Sequence, residues 1–283
     1  MNTTHPNPFR PDAAGERRPQ SSAARAFTLL EMIVVLAIIG ILTSMALPHI
    51  KGMTQSNSMN AAIHQLLDDV SLARKRTQVN RTQVCMVFGP GPSFWTTTMA
   101  GYGNYVAPQV TNLFSHQYSS YALIALRSVG DQPGRPYIHY LTDWKYLPQG
   151  VFFSPYQFTN TLSIQVCTTN TTSGLTNISQ VAPFPTNISF PFPSTFNTTS
   201  NFLNSVYLPY IGFLPSGQLN ANSDQYIMLA RGGVFYPIAP NGSPVYSSPV
   251  DFVETPAGND TNNPNLIHID MTTSRAKVEQ NQF

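Results

Sequence analysis

The chain has 283 residues, enough for one large domain or two small ones. A net charge of +2 argues against a polyanion-binding surface spread over the chain, and only 10% of residues are charged, against roughly 25% in ordinary soluble domains. Asn, Thr, Ser, Gln and Pro take the place of the missing charges, a composition that suits an exported or cell-surface protein.

Residues 1–26 are polar and carry Arg10, Arg17, Arg18 and Arg25 against Asp12 and Glu16. They read as a targeting leader, outside the fold. Arginines just ahead of an apolar run place that end in the cytoplasm and the rest of the chain across the membrane. The run follows at once: from Phe27 to Leu47 the single charge is Glu31. A helix over 27–47 would cover roughly 30 Å, the thickness of a bilayer's hydrocarbon core. A carboxylate inside it costs on the order of 2.5–3.5 kcal/mol and needs a cationic partner. Cleavage of the Ala26–Phe27 bond would supply one, a new α-amino group four residues before Glu31. Ser44-Met45-Ala46 offers a rival site, because an ordinary secretory signal could be cut there to free a chain starting at Leu47. Glu31 counts against that reading, since such a signal gains nothing from a buried acid.

Pro48 is expected to kink the helix rather than end it, by removing one backbone hydrogen bond. Beyond it Ile63, Leu66, Leu67 and Val70 fall at i, i+3, i+4, i+7, so an amphipathic half spans 49–80 and ends near Val79. Asp68, Asp69, Arg74, Lys75 and Arg76 lie mostly off the apolar face, which needs a sheet as cover. Residues 81–283 read as β-rich. Strands are expected at 82–88, 121–127, 136–141, 150–153, 162–167, 206–213, 225–230, 233–238, 265–270 and 275–279, from runs of β-formers between Gly- and Pro-rich turns. Two stretches, 89–118 and 168–205, read as irregular insertions. The second lies in a run from Tyr146 to Ser223 without Asp, Glu, Lys, Arg or His. Its scattered Phe and Tyr argue against simple disorder and for an exposed, partly packed excursion.

Two cysteines, Cys85 and Cys167, either form one disulfide outside the cytoplasm or stay as separate buried thiols. A bridge across so long a loop is worth about 4–5 kcal/mol in the chain-entropy account. No catalytic, metal or cofactor motif occurs, and no cofactor or metal is expected. His139 with Asp143 is too generic a pair to make a hydrolase. Asp251, Glu254, Asn259 and Asp260 offer oxygens to a calcium ion but read better as loop surface. Arg275 and Lys277 give too few phosphate contacts for nucleic acid.

The order Ala26, Phe27, Thr28, Leu29, Glu31, then apolar residues, then Pro48 resembles the class III signal of type IV pilins and type II secretion pseudopilins, with Ala26 where Gly is usual. The resemblance implies an α+β pilin-like fold, a long N-terminal helix packed on an antiparallel sheet. It implies cleavage between Ala26 and Phe27 and N-methylation of Phe27 by prepilin peptidase. It also implies a single-pass inner-membrane protein that an assembly platform builds into a filament with other pilins or pseudopilins. Glu31 would there meet the α-amino group of a neighbouring Phe27. The helix Gln65–Arg74 before the first strand, Trp144-x-x-Leu147-Pro148-x-Gly150-Val151, and Phe213-Leu-Pro-Ser-Gly217 resemble the H-type minor pseudopilins and the related FimT-like minor pilins. Pseudopilins of the Verru/Chthon-cassette type share this layout. A non-enzymatic minor subunit is therefore expected, with a tip adhesin, a DNA-binding minor pilin or an exported hydrolase as alternatives.

Overall fold

The computed structural model describes residues 28–99, 108–127, 131, 137–159, 164–170, 175–194, 206–261 and 264–279, with the side chains of 45–56, 164–170 and 175–180 left aside. The chain divides into two compact units, Met1–Ile50 and Lys51–Phe283. Helix α1, Leu29–Asn80, spans the division, so Pro48 does not end it.

In the second unit, α1 buries Met59, Ala62, Ile63, Leu66, Val70 and Ala73, one stripe at three- and four-residue spacing. The helix stops at Asn80, and Arg81 leaves in a left-handed conformation at φ 49°.

Two antiparallel sheets follow. The first joins β10 (Tyr210–Phe213), β1 (Val84–Phe88) and β2 (Ser120–Ala125), with the short strands β3 (His139–Tyr140) and β4 (Lys145–Tyr146) both on β2. The second has the order β12 (Asp251–Glu254), β11 (Gln225–Phe235), β13 (Asn265–Ile269), β14 (Ala276–Glu279), and β5 (Val151–Phe153) also pairs with β11. Phe153 N donates to Tyr118 O at 2.7 Å and Leu147 N to Ser119 O at 2.8 Å, which ties the residues ahead of β2 to both sheets. The strands β6 (Ile164–Asn170) and β7 (Leu175–Val181) form one hairpin, and β8 (Ser189–Phe190) pairs with β9 (Val206–Tyr207).

The α1 stripe packs on one face of both sheets. Val84, Met86 and Phe88 of β1 meet it, together with Tyr121 and Leu123 of β2, Phe153 of β5, Ile227 and Leu229 of β11, and Ile267 and Ile269 of β13. Alternate residues of the first sheet, Cys85, Val87, Ile124 and Tyr210, point the other way into a second core. That explains why β1 is a continuous apolar run: both its faces are covered, as in sheets flanked on two sides.

The cover on the second face comes from stretches that composition marked as irregular. Residues 89–118 hold a π-helical turn at Phe94–Thr98 and helix α2, Pro108–Ser115. Trp95, Met99, Val110, Leu113 and Phe114 from this stretch are buried. Trp95 Nε1 donates to Pro90 O at 3.0 Å, and its ring lies 5.2 Å from that of Phe114, edge to face. From the stretch expected at 168–205, Phe190 and Phe192 join this second core, while Phe184 packs in the core under α1 and Val181 packs with Met228 and Leu266. Where described, the expected excursion is partly packed: those side chains are buried, while Ala182, Thr186 and Asn187 are exposed. One strand replaces the two expected at 225–230 and 233–238. Gly232, at φ 147°, carries the ladder across the break, since a Cβ there would sit 1.9 Å from Val253 O.

A candidate assembly helix and the polar lock behind it

Helix α1 begins with a cap. Thr28 Oγ1 accepts from Glu31 N at 3.2 Å, and Thr28 O accepts the first helical bond from Met32 N. Thr28-Leu29-Leu30-Glu31 thereby has the spacing of a capping box, in which a threonine caps the turn and a glutamate or glutamine sits three residues on. Beyond it every large apolar side chain from Leu29 to Leu42 is exposed, from 44% at Val35 to 78% at Leu29. A helix that is apolar all round is stable only when something covers it. Ala26 and Phe27 lie outside the described residues, as does the side chain of Pro48. Among the described residues no helix is long and apolar enough to cross a membrane; the run expected at 27–47 falls only partly within them.

The other half of α1 carries a polar lock that hydropathy did not reveal. Asp69 was expected off the apolar face, yet it is buried. Its Oδ1 meets Lys145 Nζ at 2.6 Å, and its Oδ2 accepts from Tyr121 OH at 2.7 Å. Gln65 Nε2 completes the chain, donating to Tyr121 OH at 2.7 Å and to Tyr146 O at 3.2 Å. Burial and the neighbouring Asp69 carboxylate both raise the Tyr121 pKa, which keeps the phenol a donor. The lock fixes the register of α1 on β2 and β4. Its only trace in the sequence is an acid one residue before Val70, at the margin of the apolar stripe. Asp69→Ala is expected to cost about 1–3 kcal/mol, since it leaves the buried Tyr121 O–H without its acceptor and strands an ammonium that is partly open to water. Asp69→Asn should cost less, because one acceptor survives. Urea unfolding followed by Trp95 and Trp144 fluorescence measures both.

The remaining candidate residues serve the fold. Cys85 is a free thiol between Val84 and Met86, fully buried, with Gln83 Nε2 at 3.6 Å from its sulfur. Burial pushes its pKa up to about 12, partly offset by that hydrogen bond. The bridge to Cys167 is therefore not formed in this structure: Cys85 faces the aromatic second core. The Cys167 side chain lies outside the described residues. Asn259 clasps β11 by accepting from Arg231 N and donating to Arg231 O, both at 2.8 Å. Asp260 accepts from Ser154 Oγ at 2.8 Å. Glu254 has a raised pKa through burial and the adjacent Asp260. These oxygens are spent on β11 and its neighbours, and among the described residues no group of three or more His, Cys, Asp or Glu could hold a metal. His139 lies 3.6 Å from Asp131. Lys277 lies 3.3 Å from Glu279. Asp224 has a lowered pKa, because it accepts from Met271 N and from His268, each at 2.8 Å.

Residues 21–47 match the family described as the prokaryotic N-terminal methylation motif. The matched span covers the leader's end, Ala26, Phe27 and Glu31, and stops one residue before Pro48. It identifies a type IV pilin-like signal, of the kind that prepilin peptidase processes, and does not reach the β-rich unit. No curated protein and no solved structure matches the chain.

Proposed function

We propose that this protein is a pilin-like subunit, anchored in the bacterial inner membrane by residues 27–47 and built through that helix into a type IV pilus or type II secretion filament. The observation that carries the reading is the methylation motif on a helix whose large apolar side chains from Leu29 to Leu42 are all uncovered. A bilayer covers them before assembly and neighbouring helices cover them afterwards. Glu31 has no cation in its own first turn. Cleavage after Ala26 supplies one on Phe27, and in a filament the amine of one subunit meets the Glu31 of the next. The second half of α1 on an antiparallel platform supports a pilin-like domain, and its added aromatic layer sets it apart from a minimal one. A minor pseudopilin of the H type, held by an inner-membrane assembly platform, is the finer form of this proposal. The leader arginines put the N-terminus in the cytoplasm and the β-rich unit on the far side.

Co-expression with an active prepilin peptidase should shorten the protein by the length of residues 1–26, and a peptidase lacking its catalytic aspartates should leave it intact. An unchanged mobility with the active enzyme would remove the basis of the proposal.

A further inference from the structure

The aromatic layer opens into a cleft of about 360 Å³, within the range of about 300–1,000 Å³ usual for small-ligand sites. It lies between the two stretches that composition had marked as irregular. Ser93 and Phe94 come from the first, Phe184 and Thr186 from the second, and Phe158 and Tyr207 close it. The rings are held from beneath. Phe184 stacks on Phe88 of β1 at 4.1 Å and meets Phe158 edge-on at 5.6 Å, and Phe94 is wedged against Trp95 at 5.1 Å and Phe192 at 5.3 Å. Tyr207 is 68% exposed, yet its backbone is fixed opposite Ser189 in the β8–β9 pair. The hydroxyls of Ser93, Thr186 and Tyr207 make no hydrogen bond among the described residues. Among the described residues no Asp, Glu, Lys, Arg or His lines the cleft.

We infer that this cleft binds a neutral saccharide. Fixed ring faces suit the apolar C–H faces of a pyranose, and uncommitted hydroxyls both donate and accept toward its own hydroxyls. With no cation among the described lining residues, the acidic groups of sialic, uronic or sulfated sugars gain no charge pairing there. A proline-rich peptide fits less well, because the nearby indole N–H that would hold its carbonyl is already bonded to Pro90 O. The site belongs to the β-rich unit and needs no cut leader, so it stands or falls separately from the filament reading.

The test uses the full chain in a polyoxyethylene detergent, whose head group carries no sugar. Saturation-transfer NMR is run against chitotriose, cellotriose and maltotriose, alongside sialyllactose, a sulfated disaccharide and a proline-rich peptide. At least one neutral trisaccharide should bind, with a Kd on the order of 1 mM or tighter. Tyr207→Ala should weaken it about tenfold or more while near-UV circular dichroism stays unchanged, since the ring projects into solvent. Thr186→Val gives a second reading that leaves every ring in place, with a loss of several-fold expected. Transfer to none of the neutral sugars overturns the inference. So does binding that both variants leave intact, or binding confined to the charged sugars or the peptide.

Discussion

Replacing Phe88 by alanine should lower the stability of the β-rich unit by about 3–5 kcal/mol, the usual cost of a deleted core ring. Phe88 is fully buried at the end of β1 and faces α1. Its ring meets Phe153 edge-on at 5.0 Å, stacks on Phe184 at 4.1 Å and reaches Phe158 at 6.4 Å. Those three rings come from β5, from the charge-free tract and from the turn after β5, so one deletion loosens three contacts to residues far from Phe88 in the chain. Each aromatic pair adds about 0.5–1.5 kcal/mol to simple area burial, which places this site at the upper end of the range. Urea unfolding of the full chain in micelles measures it. Val79→Ala, at a position 70% exposed on α1, is the control and should change stability by less than about 0.5 kcal/mol. A Phe88→Ala loss as small as that of the control would mean that Phe184 does not rest on β1, and the core status of the charge-free tract would go with it.

The second large effect is expected at Glu31. On the proposed function, Glu31 pairs in a filament core with the α-amino group of a neighbouring Phe27, and losing one partner of a pair so cut off from water would strand the other at a cost of about 3–5 kcal/mol. That corresponds to a drop on the order of 10²–10³-fold in the equilibrium for adding one subunit. Glu31→Ala should therefore enter the membrane normally and be nearly absent from sheared filaments. The cap at Thr28 supplies a sharper comparison. A capping box accepts glutamine as well as glutamate, so Glu31→Gln keeps the local helix start and removes only the charge. If the charge pair drives assembly, Gln fails as Ala does. If Glu31 matters only as a capping residue, Gln restores incorporation. Quantitative immunoblots of the filament and membrane fractions separate the two outcomes.

What could be read from the chain alone follows a physical division. Local periodicity is visible in a sequence, and so the stripe of Ile63, Leu66 and Val70 and the end of β1 at Phe88 stand where the residue pattern put them. Contacts between distant segments are not visible. The tract around Phe184 and Phe190 is rich in Asn, Thr, Ser and Pro, which locally signals a loop. Only sheet residues some hundred positions earlier, Phe88 for Phe184 and the second face with Cys85 and Val87 for Phe190, make those phenylalanines core. The two-residue strands at Lys145–Tyr146 and Ser189–Phe190 are too short to carry a period. Asp69 escaped for a related reason: an acid beside an apolar stripe looks solvent-facing until Tyr121 and Lys145 are seen to meet it. The pairing of Gly232 with Glu254 likewise turned two expected strands into one, because a glycine run reads as a break when the partner strand is unknown. For the candidate site the balance is reversed. The motif within residues 21–47 was legible, since it is a linear pattern. The cleft beside Tyr207 was not, since it exists only where two separate stretches converge.

The most direct measurement is the mass and N-terminal sequence of the protein taken from its native membranes. The account predicts a chain that starts at Phe27 and carries one methyl group on its α-nitrogen. A chain that retains residues 1–26, or one that starts at Leu47 with the apolar helix gone, would contradict it.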